Sequence, residues 1–112
     1  MNGRRTIAFA CVLAAASAVA SAQGTNADQV EAGRKLYISA CQRCHGINLS
    51  ANGIGFDLRT FSPHDKERFV RSVTNGVRAM PAWGNTLKPE QMDQIWAYIG
   101  SVNAWKATPG SP

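Results

Sequence analysis

Residues 41 to 45 read Cys-Gln-Arg-Cys-His, two thiols three positions apart with an imidazole directly after the second. Three chemistries use such a pair: a redox dithiol, half of a zinc site, and the attachment of haem. A thioredoxin-like dithiol belongs at a strand-to-helix junction within a sheet. A structural zinc site needs four ligands, usually as two pairs. Haem attachment needs two thiols spaced to reach two vinyl groups, and an imidazole beside them to meet the iron. The segment itself is compatible with all three, so the rest of the chain has to choose.

The chain has 112 residues, the size of one domain. Arg4 and Arg5 precede an apolar run from Ile7 to Ala16, and Ala20-Ser21-Ala22 supplies small residues for cleavage. That pattern predicts a signal peptide over 1–22, since the run is about half of the roughly 20 residues a membrane span needs. Ordinary unfolded export fits better than twin-arginine export, because Thr6-Ile7-Ala8 follows the arginines. Cys11 reads as a small apolar residue of the discarded segment. Twelve basic against seven acidic residues give a formal charge of +5, and the loss of Arg4 and Arg5 leaves a mild excess. Nucleic-acid binders concentrate far more basic charge. A partly acidic protein surface is the better counterpart.

Export places Cys41 and Cys44 in an oxidising compartment. A bridge between them would close a very short loop and constrain the unfolded chain little. Small domains often need a staple or a cofactor to complete the core.

The elements that hold these thiols read as helices. Residues 23–27 form a flexible leader. Asp28 and Glu31 are spaced as a capping box, and Val30, Gly33, Leu36, Tyr37 and Ala40 recur at helical spacing, which predicts a first helix from Asp28 into the cysteines. "GINLSANGIGFDLR" is a loop without regular structure, long enough to suggest that it wraps a ligand. Ser62, Pro63 and Gly76 punctuate a second helix whose stripe is Phe69, Val70 and Val73. After the loop "VRAMPAWGNTL", Pro89 opens a third, with Met92, Ile95, Ile99 and Val102 on one face and Trp96 and Tyr98 flanking it. No segment alternates long enough to make a strand. The domain is predicted over 28–106, with a disordered tail over 107–112.

With no sheet and no second cysteine pair, haem attachment is the reading that remains, and CxxCH is the c-type signature. Here the chain resembles the class I cytochromes c over nearly all of its exported length. The resemblance implies an all-α cytochrome c fold of three main helices and long loops around one covalently bound haem c. It implies that Cys41 and Cys44 form the thioethers and that His45 is the proximal iron ligand. "GIGFDL" resembles the proximal loop, "MPAWG" the segment carrying a distal methionine at Met80, and Gly33 and Tyr37 the pair that packs on the last helix near Ile95 and Tyr98. One position departs. Where many members have proline this chain has Phe56, which keeps the carbonyl that would orient the histidine.

For the distal ligand, Met92 falls at core spacing and His64 in the exposed first turn of a helix, whereas Met80 lies in an irregular loop before Pro81. A thioether raises the reduction potential relative to a second imidazole, and two filled axial positions leave no open site for oxygen. Leu58, Phe69, Val73 and Trp83 are the candidate pocket wall, with Arg59 and Trp83 as candidate partners of a haem propionate.

The implied function is a periplasmic, monomeric monohaem carrier of single electrons, with no catalytic residues of its own. A haem enzyme or gas sensor with a labile distal ligand is the alternative, and a haem-free thiol-disulfide oxidoreductase a third. "MPAWG" with "LKPEQMDQIWAYI" resembles small cytochromes c that accept electrons from periplasmic quinoprotein alcohol dehydrogenases. That makes such a dehydrogenase the expected donor, a cytochrome bc1 complex or another cytochrome the other choice, and an oxidase or cytochrome the acceptor. Arg43, Lys66, Arg68, Arg71, Arg78 and Lys88 are expected to form a positive rim.

Overall fold

Apolar residues at helical spacing, with glycine at two points of close approach, give the chain its frame. The computed structural model describes residues 3, 8, 10–14 and 26–105. Most of the expected signal peptide, Gln23 to Thr25 of the expected leader, and the expected tail lie outside the described residues. Four α-helices follow in order: α1 (Asn26–Ala40), α2 (Gln42–His45), α3 (Lys66–Asn75) and α4 (Pro89–Val102). Single 3-10 turns occupy Ile47–Leu49, Leu58–Thr60 and Pro63–Asp65. No strand occurs among the described residues, as expected, apart from one isolated bridge between Val77 and Met80.

α1 begins at Asn26, two residues before the expected start, so Asp28 lies inside the first turn, where a carboxylate suits the positive end of the helix. Glu31 does not act as the far half of a capping box. Both of its oxygens accept from Arg34, each at 2.8 Å. The first helix also breaks at Cys41, a turn residue, before α2 resumes, so the three expected helices become three and a short fourth. The expected irregular loop after His45 contains two of the 3-10 turns.

The second helix starts as its sequence predicts. The Ser62 hydroxyl accepts from His64 N–H, and the Asp65 carboxylate accepts from Ser62 N–H at 2.8 Å. This closes a capping box around Pro63, and the Ser62 bonds hold the Asp65 carboxyl below its ordinary value. Gly76, at φ 76°, ends the helix.

The packing of α1 on α4 is the most extensive in the molecule. Gly33 makes it close, because any side chain there would overlap the Gln94 carbonyl of α4. Beside it the rings of Tyr37 and Tyr98 meet at 5.2 Å between centroids, tilted by 46°. Tyr37, Leu49, Ile95 and Ile99 are fully buried, and Leu58, Phe61, Phe69, Val73, Leu87, Met92 and Tyr98 complete the core. Val102, expected on the buried face of α4, is at its exposed end.

Candidate functional site

The Cys-Gln-Arg-Cys-His segment is a single helical turn. Cys41 N–H donates to the Tyr37 carbonyl at 2.8 Å and His45 N–H to the Cys41 carbonyl at 3.0 Å, which ties the segment to the end of α1. Gly46, at φ 84°, ends it, and a Cβ there would overlap the Ser50 carbonyl. The Tyr37 hydroxyl donates to the Gly46 carbonyl, which ties α1 to the exit of the turn. Burial, joined by the charges of Cys41 and Tyr98, pushes the Tyr37 phenol up to about 12.

The carbonyls at the C-terminal end of so short a helix need partners. The following loop supplies them: Asn52 Nδ2 donates to the Arg43 carbonyl at 3.0 Å, and Gly55 N–H to the Cys44 carbonyl at 2.9 Å. Asn52 also accepts from Ile54 N–H, which sets the curve of the loop. The loop is thereby folded back against the histidine. A Cβ on Gly55 would sit 2.9 Å from His45 Nδ1 and 3.0 Å from its Cε1, so the backbone passes the ring with no room for a side chain.

His45 is buried, and its Nδ1 lies 2.8 Å from the Phe56 carbonyl oxygen. A carbonyl only accepts, so Nδ1 is the donor here and Nε2 is the ring nitrogen left for a ligand. Phenylalanine in place of the expected proline therefore preserves the orienting bond. Both thiols are free. Cys44 is exposed and Cys41 half-buried, and burial, then the neighbouring Cys44, pushes the Cys41 thiol up to about 11. A thiol so disposed is a poor thiolate nucleophile, which fits an anchoring role better than dithiol exchange. Two thiols followed directly by an imidazole whose Nδ1 is hydrogen-bonded to a backbone carbonyl form a set that suits a covalently anchored haem. No group of three or more His, Cys, Asp or Glu side chains suited to a bare metal ion occurs among the described residues.

Met80 belongs to a second, separately tied loop. Val77 and Met80 exchange backbone hydrogen bonds at 3.1 and 2.9 Å around Arg78, itself at φ 51°. Trp83 N–H and Gly84 N–H donate to the Val73 and Thr74 carbonyls, satisfying the end of α3. Gly76 admits the loop, since a Cβ there would lie 2.8 Å from the Met80 carbonyl oxygen and 2.9 Å from the Ala82 nitrogen. The half-buried Met80 and Trp83 are thus held by a scaffold of backbone bonds. Met92 is in the core at 5% exposure, its sulfur accepting from the Thr74 hydroxyl at 3.7 Å. His64 is exposed in the first turn of the capped helix.

Leu58 is buried, its carbonyl accepting from Asn103 Nδ2 at 3.1 Å. Arg59 points its guanidinium at Asp57, with hydrogen bonds of 2.9 and 2.8 Å, and these hold the Asp57 carboxyl below its ordinary value. Sequence reasoning missed that pair, although the two residues are only two apart. It also counted Arg68 as one of a surface rim. In the fold Arg68 lies over the rings of Phe56 and Phe61, at 5.1 and 5.3 Å. No local spacing signals that contact, because a loop and a helix bring it together.

Residues 28–99 match the family described as cytochrome C oxidase, cbb3-type, subunit III. Among individual proteins, a cytochrome c6 from Nostoc sp. is 38% identical over 87 residues, covering 71% of this chain and 78% of that protein. The quinohemoprotein alcohol dehydrogenase ADH IIB of Pseudomonas putida is 38% identical over 77 residues, 66% of this chain but 11% of the dehydrogenase. The solved structure of quinohemoprotein alcohol dehydrogenase ADHIIG from Pseudomonas putida HK5 superposes with a TM-score of 0.65 at 33% identity, over 74% of this chain and 12% of that one. This chain therefore spans about a tenth of the length of the dehydrogenases it matches.

Proposed function

The chain belongs to the cytochrome c family, electron-transfer proteins that carry covalent haem c, and from that premise we propose that it is a periplasmic monohaem shuttle. In this reading Cys41 and Cys44 anchor the haem, His45 is the proximal ligand and Met80 the distal one. The domain runs from residue 28 to 106 behind a cleaved signal peptide. When bound, the haem iron supplies a one-electron ferric/ferrous couple, and its potential responds to the axial ligands, their hydrogen bonds and burial. The protein's own part is to hold those ligands still. His45 is fixed by the Phe56 carbonyl and the close passage of Gly55, Met80 by the bridge to Val77 and the cradle at Gly76.

The observation that carries the reading is the 2.8 Å bond from His45 Nδ1 to Phe56 O, one residue after the second thiol. It supports ligation through Nε2, the nitrogen left without a partner in that bond, and neither dithiol exchange nor a solvated surface histidine requires such an arrangement. No described helix is long and apolar enough to cross a membrane, which suits a diffusing carrier. The match to a tenth of a quinohemoprotein dehydrogenase supports a dehydrogenase of that class as donor, because a domain similar to this one is built into such an enzyme. The visible spectrum of the purified protein after acid–acetone extraction tests the proposal. Retained haem with a low-spin spectrum is the expected result. A high-spin spectrum would point instead to an enzyme or sensor with an open position, and loss of all haem to a dithiol protein.

A further inference from the structure

The carbonyl that accepts the hydrogen bond from the His45 ring belongs to a residue whose own side chain has little burial to hold it. Phe56 is 49% exposed, in a loop with glycine at 53 and 55. Backbone bonds fix the chain on either side. Gly55 N–H is on the Cys44 carbonyl at 2.9 Å, and the Asp57 carbonyl accepts from Thr60 N–H at 3.1 Å. Between those two points the Phe56 carbonyl lies on His45 Nδ1, so a shift of this stretch would lengthen that bond.

Two contacts restrain the Phe56 ring. Its edge meets Phe61 at 5.6 Å and 60°, and the Arg68 guanidinium covers it at 5.1 Å. Phe61 is itself buried and locked. It packs against Phe69 at 6.3 Å and Trp96 at 5.6 Å, and its carbonyl accepts from Trp105 Nε1 at 3.2 Å. Arg68 spans both rings, 5.3 Å from Phe61, and so joins the exposed ring to the buried one. Among the four ion pairs of the described residues, Arg68 is in none. The flat, delocalised guanidinium stacks on two aromatic faces in a way an ammonium does not.

We propose that Arg68 is a positioning residue for the proximal ligand: stacked across Phe56 and Phe61, it holds the Phe56 carbonyl on His45 Nδ1 where a more rigid residue would otherwise be needed. The proposal rests on His45 being an iron ligand. Its consequence is electronic as well as structural. A carbonyl held on the ring N–H raises the basicity of the ligating nitrogen, which favours the ferric state. Loosening the stack weakens that bond and moves the potential upward.

The test uses the haem-loaded protein and four variants: R68Q, R68K, F56L and R68Q/F56L. The first readout is solvent exchange of the His45 Nδ1 proton in the ferrous state by NMR, and the second is the reduction potential. R68Q should speed exchange by roughly two- to fivefold, the range expected for a cation–π contact at an exposed site, and raise the potential. R68K should behave like R68Q, because charge without a flat face does not bridge the rings. F56L should do the same, and adding R68Q to F56L should change nothing further. Unchanged exchange in R68Q, wild-type behaviour of R68K beside an altered R68Q, or additive effects in the double variant would each overturn the proposal. Failure of the ligand assignment would show earlier and separately, as His45 ring resonances in the wild-type protein that haem does not shift.

Discussion

Gly33 on α1 passes Gln94 on α4 so closely that the Gln94 carbonyl occupies the space of a side chain. The obstacle is backbone within a helix, so it cannot rotate aside as a side-chain tip would. Gly33→Ala therefore has to push the two helices apart and loosen the Tyr37–Tyr98 ring contact beside them. The expected loss of stability is at the upper end of overpacking, about 3 kcal/mol. Chemical denaturation of the haem-loaded variant would measure it, and a loss below about 1 kcal/mol would contradict this close crossing.

Covalent attachment should fail stepwise when the thiols are removed. Cys41→Ser or Cys44→Ser leaves one thioether, and the double variant leaves none while keeping His45 and its bond to Phe56. Mass spectrometry after acid–acetone extraction should find haem on the single variants in reduced yield and none on the double. Haem retained by the double variant would dispose of the attachment assignment.

The two methionines should separate cleanly. Met80 lies half-buried in a loop that backbone bonds to α3 and Val77 hold in place, so Met80→Ala should leave the fold standing. It should convert the spectrum to high-spin or water-ligated, lower the potential and admit added ligands. Met92 is 5% exposed and fills the core beside Thr74, so Met92→Ala should cost about 2–5 kcal/mol through the cavity it leaves, with the spectrum unchanged. A spectral change in Met92→Ala and none in Met80→Ala would reverse the assignment.

Stability should fall in alkali, and Tyr37 should account for part of it. Its folded-state value is raised from 10.0 to about 12, chiefly by burial, so the unfolded chain gives up that proton first as pH rises. The native state then binds more protons than the unfolded one, and stability declines with pH between those values. Below pH 10 the contribution is fully present. Tyr37→Phe should flatten this limb in denaturant titrations, and should also cost about 1 kcal/mol at neutral pH by freeing the Gly46 carbonyl. An alkaline limb of undiminished steepness in Tyr37→Phe would remove Tyr37 from the explanation.

The parts of this molecule that were legible in its sequence are those governed by local rules. Ser62, Pro63 and Asp65 carry a capping box in their own spacing, and Met92, Ile95 and Ile99 carry the buried face of α4. The thiols and His45 announce their chemistry by type and order. The capping expected of Asp28 and Glu31 failed for a physical reason: Arg34, three residues on, offers both Glu31 oxygens a charged partner. What the sequence concealed depends on tertiary meeting points. Arg68 and Phe56 are brought together by a loop and a helix. The pairing of Lys66 with Asp93 joins α3 to α4 across a long stretch of chain.

That pairing bears on how the protein meets its redox partner. The six cations expected to rim the site are not equivalent in the fold. Lys66 is 3.0 Å from Asp93 and Arg71 is 3.5 Å from Glu67, so much of the field of each is cancelled locally. Arg68 is committed to the two aromatic rings. Arg43 sits inside the Cys-Gln-Arg-Cys-His turn itself, and Arg78 in the turn whose bridge holds Met80. Both are exposed, as is Lys88 just before α4, and none of the three is in an ion pair among the described residues. Arg43, Arg78 and Lys88 should therefore dominate attraction to an acidic docking face, and attraction of this kind acts on the encounter rate and fades as salt screens it. Stopped-flow reduction of the ferric protein by a purified quinoprotein alcohol dehydrogenase is the measurement. Arg43→Gln and Arg78→Gln should each slow the second-order step severalfold at low salt, and flatten its dependence on ionic strength. The double variant Lys66→Gln/Asp93→Asn should slow it less, since it removes both charges of a pair whose net field is small. Equal effects of all three would mean that pairing with Asp93 leaves the field of Lys66 intact, and a fast wild-type rate indifferent to salt would abolish the positive rim altogether.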